Sequence, residues 1–244
     1  MPVTEFKSRL KALRKKLEES VRGGNGPAPL PPRELSAEER SSVEALFEQG
    51  KQFSREGRVR EAISVYQDLL LVDAHHLRAR NNLGCLLDQR GDHELALQEY
   101  RQALELSPGN WEVLHNMGGT LGTLGRFDEA ISVLERACEA QPEDPEIVYN
   151  LGMAQFQKGL YRDAVTFFRR ALELAPDKTI VYLHLGQAYN HLREKLLAID
   201  AFERVVAAYP NHPRAYSFLG VLYRSQGKVD ESRRMFEAAH QLSE

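Results

Sequence analysis

Between Leu77 and Lys178 the chain repeats one pattern three times at a spacing of 34 residues. Leu83-Gly84 returns as Met117-Gly118 and then as Leu151-Gly152. Gly91, Ala96 and Pro108 return as Gly125, Ala130 and Pro142, and again as Gly159, Ala164 and Pro176. A fixed period of this length restricts the fold to a stack of like units, because no single unit can bury its own apolar faces. Stacks of this kind present long surfaces, so the class of function implied is a binding scaffold. The period does not name the partner.

The register extends in both directions without a gap, giving six units at 43–76, 77–110, 111–144, 145–178, 179–212 and 213–244. Position 8 of each is Gly50, Gly84, Gly118, Gly152, Gly186 and Gly220. Position 20 is Ala62, Ala96, Ala130, Ala164 and Ala198, with Ser232 in the last unit, and position 24 is Tyr66, Tyr100, Leu134, Phe168, Phe202 and Phe236. Two helices of about a dozen residues fill such a unit, with a turn at position 15, where Gly57, Gly91, Gly125, Gly159 and Gly227 recur. Small side chains at positions 8 and 20 allow close approach of the paired helices, and large ones at positions 4, 7, 11 and 24 fill the space between them. The proline near the end of a unit stops its second helix. Arg193 takes the place of the turn glycine in the fifth unit, which predicts a longer or differently shaped turn there. Gln49 and Ala74 depart from the apolar residue and the proline in the first unit.

Leu-Gly-x-x-Leu/Tyr, then Ala-x-x-x-Tyr/Phe, then Pro resembles the tetratricopeptide repeat, and the resemblance covers residues 43–244. It implies an all-α, right-handed solenoid whose concave wall is lined by the first helix of each pair. Positions 2, 5, 6, 9, 12 and 13 would then face the groove. At position 6 stand Glu48, Asn82, Asn116, Asn150, His184 and Phe218. Three asparagines at the repeat spacing can pair with the N–H and C=O groups of an extended chain, since each amide is both donor and acceptor. That arrangement is similar to the asparagine ladder in the repeat arm of O-linked N-acetylglucosamine transferases. Selectivity would come from neighbouring groove positions. Gly119 and Gly122 leave a bare floor, at a helix cost of ~1 kcal/mol each against alanine. Met153, Phe156, Ile180, Phe218 and Val221 make the wall apolar toward the C-terminus, while Arg78, Arg214 and Arg224 suit an acidic segment. The carboxylate clamp of chaperone-binding relatives requires Lys and Asn where this chain has Phe47 and Lys51, and Lys and Arg where it has Glu112 and Asn116. A heat-shock co-chaperone is therefore disfavoured.

Ahead of the array, residues 1–22 place Phe6, Leu10, Leu13, Leu17 and Val21 on one stripe of an amphipathic helix. Seven Lys or Arg against three Glu give this segment +4, whereas everything from Ser36 onward carries −7. Residues 23–35, GGNGPAPLPPREL, read as a linker that can reach ~43 Å at ~3.3 Å per residue. Ser36-Ala37-Glu38-Glu39 is a capping box that opens the folded region, 36–244. Ala238, Ala239 and Leu242 correspond to positions that a following unit covers elsewhere, so the array is expected to end open. The basic helix has the single stripe that a cap needs. Three uses of it stand open: docking on its own repeats, donation to a partner or to a neighbouring copy (the latter making a homo-oligomer), and lying on a membrane surface.

Other chemistry is disfavoured. The net charge of −3 and pI near 6.3 do not suit nucleic acid. Cys85 and Cys138 are too few for a disulfide or zinc framework. The glycine run from Met117 to Gly125 has helical periodicity and no preceding strand, so it is not a phosphate loop. His75-His76 cannot close a metal site by themselves, and no nucleophile or paired carboxylates stand at catalytic spacing. No secretory signal or ~18-residue apolar span is present. The expectation is a cytoplasmic, non-catalytic protein–protein adaptor without cofactor or metal, holding a partner segment in its groove. The alternative is a self-assembling or membrane-recruited platform joined through residues 1–22.

Overall fold

The computed structural model describes residues 34–243. Among them are twelve helices in six consecutive pairs and no strand. They are α1 (Ala37–Arg55), α2 (Val59–Val72), α3 (Leu77–Arg90), α4 (His93–Leu106), α5 (Trp111–Thr123) and α6 (Phe127–Ala140). The remainder are α7 (Pro145–Gln157), α8 (Tyr161–Leu174), α9 (Thr179–His191), α10 (Lys195–Ala208), α11 (Pro213–Ser225) and α12 (Val229–Gln241). The fold divides into two compact units at Thr120–Leu121, within α5.

In the first unit α1 begins at the capping box. The Glu39 backbone N–H donates to Ser36 Oγ at 3.2 Å, and the Ser36 N–H donates to the Glu39 carboxylate at 3.0 Å. α1 packs on α2, α2 on α3 and α3 on α4. The contacts are closest at position 8. A Cβ placed on Gly50 would lie 2.7 Å from the Tyr66 ring, and one on Gly84 would overlap the Tyr100 ring. Both tyrosines are fully buried. The second unit repeats this design with phenylalanine. A Cβ on Gly152, Gly186 or Gly220 would lie 2.9 Å from Phe168, Phe202 or Phe236. In that unit each second helix also packs on the first helix of the next pair, and α7 touches α9. One apolar cluster joins α7 to α11, with Val148, Phe168, Val181, Leu185, Phe202 and Leu219 among its members.

Each pair is closed by the same turn. The N–H one residue after the turn residue donates to a carbonyl five residues back, as in Asp92 to Leu87 and Leu160 to Gln155, both 2.9 Å. This geometry requires a left-handed residue, and Gly57, Gly91, Gly125, Gly159 and Gly227 all have φ between 72 and 94°. The expectation of a longer or different turn in the fifth unit is corrected here. Arg193 adopts φ 62°, and Glu194 donates to the Tyr189 carbonyl at 2.9 Å as in the glycine turns. Packing of α9 and α10 on each other and on their neighbours fixes the turn, and Arg193 bears the strain.

The second repeat departs from an apolar rule. Positions 4 and 23 elsewhere hold residues such as Leu114 and Val133 or Tyr182 and Ala201, but here they hold Arg80 and Glu99. The Arg80 guanidinium donates to the Glu99 carboxylate at 2.8 Å and to the Ala74 carbonyl at 2.8 Å. Ala74 stands where the next four repeats carry proline, so Arg80 holds a turn that lacks one. Burial pushes the Glu99 carboxyl up even though Arg80 opposes it.

Two stability measurements follow from these features. Arg193→Gly relieves a left-handed strain of roughly 1–2 kcal/mol, less the added chain entropy of glycine, for a net gain of roughly 0.5 kcal/mol in urea denaturation. Arg80→Met strands Glu99 and lowers stability by roughly 2 kcal/mol, and adding Glu99→Val restores most of it. A double variant no more stable than Arg80→Met alone would refute the pairing.

Candidate functional site

Position 6 lies on the first helix of each pair, and the structure gives its side chains a shared geometry. In the first unit the Asn82 amide on α3 donates to Tyr66 Oη on α2 at 3.1 Å. The Asn116 amide on α5 donates to Asn81 Oδ1 on α3 at 3.0 Å. In the second unit His184 Nδ1 on α9 lies 3.1 Å from Tyr149 Oη on α7. Phe218 on α11 stacks on Phe202 of α10 with centroids 4.7 Å apart and planes 5° off parallel. Each of these residues thus reaches back to the preceding repeat, either 16 or 35 residues earlier in the chain. Asn150 is half-buried, as are Asn82 and Asn116. Neither Asn82 nor Asn116 uses its Oδ1 oxygen or its second amide hydrogen within the described residues.

Around His184 the second unit gathers aromatic rings. Phe156 lies 5.4 Å from Tyr161, 5.7 Å from His191 and 6.4 Å from His184. Tyr161 and His191 stack at 4.2 Å with planes 7° apart. His184 also lies 3.0 Å from the Ile180 carbonyl. Burial lowers its pKa, and burial pushes the Tyr149 phenol up to about 12, so both stay neutral near pH 7. Met153 is half-buried against the core cluster. Ile180 and Val221 are 50% and 47% exposed, which leaves apolar surface on the first helices of the last two repeats.

The glycines of α5 behave differently from those at position 8. A Cβ on Gly119 would meet nothing within 4 Å, and one on Gly122 would meet only Gln157 Oε1 at 3.6 Å. Packing among the described residues therefore does not demand either glycine. The Arg78 guanidinium sits over the Phe47 ring at 4.7 Å, and that of Arg224 over Phe236 at 5.6 Å. Both cations rest on a ring. Phe6, Leu10, Leu13 and Leu17 lie outside the described residues. Among the described residues no group of three or more His, Cys, Asp or Glu is placed to hold a metal ion, and no helix is long and apolar enough to cross a membrane.

Sequence reasoning did not find the partners of the position-6 side chains, Tyr66, Asn81 and Tyr149. The signal was present in the register, since Asn81 and Tyr149 both occupy position 5, one repeat earlier.

Comparison with known proteins agrees with the helical pairing. The tetratricopeptide repeat profile matches residues 47–110, 117–179, 149–213 and 185–243, well over half of the chain. A crystal structure of MamA superimposes with a TM-score of 0.64 and 28% identity, covering 66% of this chain and 94% of that one. Pseudomonas aeruginosa pilF gives a TM-score of 0.71 at 24% identity, covering 82% of this chain and 90% of that one. YrrB, a TPR protein with an unusual peptide-binding site, gives 0.64 at 22% identity, covering 72% and 91%. An uncharacterized protein, y4yS of Sinorhizobium fredii (strain NBRC 101917 / NGR234), is 38% identical over 69 residues, which span 28% of this chain and 38% of that protein. With its four profile matches and its consecutive helix pairs, the chain belongs to the tetratricopeptide repeat family.

Proposed function

We propose that this chain is a non-catalytic, cytoplasmic scaffold that binds a segment of a partner protein along the first helices of its repeats and so supports assembly or recruitment of a larger complex. The observation that carries this reading is the state of Asn82 and Asn116. Each amide is tied to the preceding repeat through one N–H, while its Oδ1 is unengaged among the described residues. A side chain held in one orientation loses little entropy when a ligand N–H reaches it, so these oxygens are preorganised acceptors. Gly119 and Gly122 support the same reading, because they keep open space beside the helix that packing does not demand. Such a partner would be a protein or peptide segment, with no nucleic acid and no cofactor.

A second reading has one feature in its favour, the opposition of +4 in residues 1–22 to −7 in the remainder. In it the basic segment docks on a neighbouring copy or a membrane surface and makes the chain a self-assembling platform.

Capture from lysate of the source cell separates the two. Replacing Asn82, Asn116 and Asn150 by alanine should remove at least 90% of the captured partner, with assembly mass unchanged. Because these amides also bridge repeats, Asn116→His serves as a control. It keeps a hydrogen-bonding ring of the kind found at His184, removes Oδ1 and should lower capture without lowering the unfolding midpoint. Capture that survives all four substitutions in folded protein would move the working surface away from position 6.

A further inference from the structure

We infer that a recess on the fifth repeat anchors one large apolar side chain of a partner peptide that carries Lys or Arg beside it. This rests on the reading of the chain as a peptide-binding scaffold and specifies the partner's chemistry.

The recess has a volume of about 430 Å³, near the lower end of the roughly 300–1,000 Å³ of ligand cavities. Its apolar lining comes from Ile180 and Leu183 of α9 and from Val205 and Tyr209 at the end of α10. Leu183 and Val205 are buried, whereas Ile180 is 50% and Tyr209 60% exposed. The other repeats show that this surface is particular to the fifth. Position 2, occupied by Ile180, is Glu44, Arg78, Glu112, Glu146 and Arg214 elsewhere. Position 31, occupied by Tyr209, is Asp73, Ser107, Gln141, Ala175 and Ser243 elsewhere. Two positions 29 residues apart in the chain depart together, and the fold brings both to one recess. A concavity lined by apolar side chains with a few polar groups at its mouth has the form of a ligand site.

The charges at the mouth select the neighbour of the anchoring side chain. The Lys178 ammonium is engaged by Glu146. His212 Nδ1 accepts the Ala215 N–H at 3.1 Å and so caps α11. Asp177 is exposed. With Lys178 already paired, Asp177 is the lining charge left without an ion-pair partner among the described residues. A Lys or Arg next to the anchor is attracted, and an acidic residue is repelled.

The test uses the full chain with ¹³C-methyl isoleucine, the Ile180 resonance being assigned by Ile180→Val, and three blocked peptides: Gly-Lys-Phe-Lys-Gly, Gly-Glu-Phe-Glu-Gly and Gly-Lys-Ala-Lys-Gly. The Ile180 methyl should shift saturably with the first peptide and at least about threefold more weakly with the second, the scale of one surface charge contact. The alanine peptide should leave it unmoved. Tyr209→Glu, at an exposed position that does not threaten folding, should abolish the response. Asp177→Asn should keep it but narrow the difference between the Lys and Glu peptides. An unmoved Ile180 methyl, equal affinity for the two phenylalanine peptides, or an undiminished response in Tyr209→Glu would each overturn the anchor. Asparagine-dependent capture of a partner despite a silent recess would sink the anchor alone. A responsive recess with capture indifferent to the asparagines would sink the position-6 reading instead.

Discussion

The contact on which the rest of this molecule depends is an aromatic ring packed against a helix that has no side chain beneath it. Gly50, Gly84, Gly152, Gly186 and Gly220 each leave room for less than a methyl group beside Tyr66, Tyr100, Phe168, Phe202 and Phe236. The ring fills the gap between paired helices while the missing Cβ sets how near they come. Because ring and glycine sit at fixed places in each repeat, one local rule produces five similar interhelical seats. Alanine at position 20, fully buried at Ala62, Ala96, Ala164 and Ala198, plays the reciprocal part on the second helix. The third repeat has Leu134 where the others carry a ring.

Much of this was legible because the determinants are local. The glycine seat, the alanine, the left-handed turn and the Ser36 capping box all lie within one helix pair, and their spacing in the chain equals their spacing in the fold. What could not be read depends on neighbours at a distance. Asn82 and Asn116 look alike in the sequence, yet one bonds a phenol 16 residues back and the other an amide 35 residues back. Ile180 was legible as part of an apolar wall, but Tyr209 carried no signal of its own, and only the fold makes the two one surface. Arg193 misled for the opposite reason. The left-handed preference of glycine is worth ~1–2 kcal/mol, less than the packing of two helices can impose, so the turn kept its form without glycine.

The polar departures follow one logic. Arg80 and Glu99 replace an apolar pair where the preceding turn lacks its proline, and the guanidinium closes on the carbonyl of that turn. The ion pair substitutes for two features at once, side-chain packing and chain stiffness. It also makes the second repeat more sensitive to single substitutions than a repeat packed by apolar residues, since removing either partner leaves the other partly buried.

The position-6 bridges have a mechanical consequence. Asn82, Asn116, His184 and Phe218 stand where adjacent repeats meet, so each is a fastening and, on the proposed reading, a rung as well. A ligand that draws on these side chains loads the joint between two repeats, and a strain that opens the joint displaces the rung. Binding at position 6 and local curvature would thus share one spring. On the proposed reading, stretching a unit would weaken its hold on a ligand, and a bound ligand would stiffen the unit against bending.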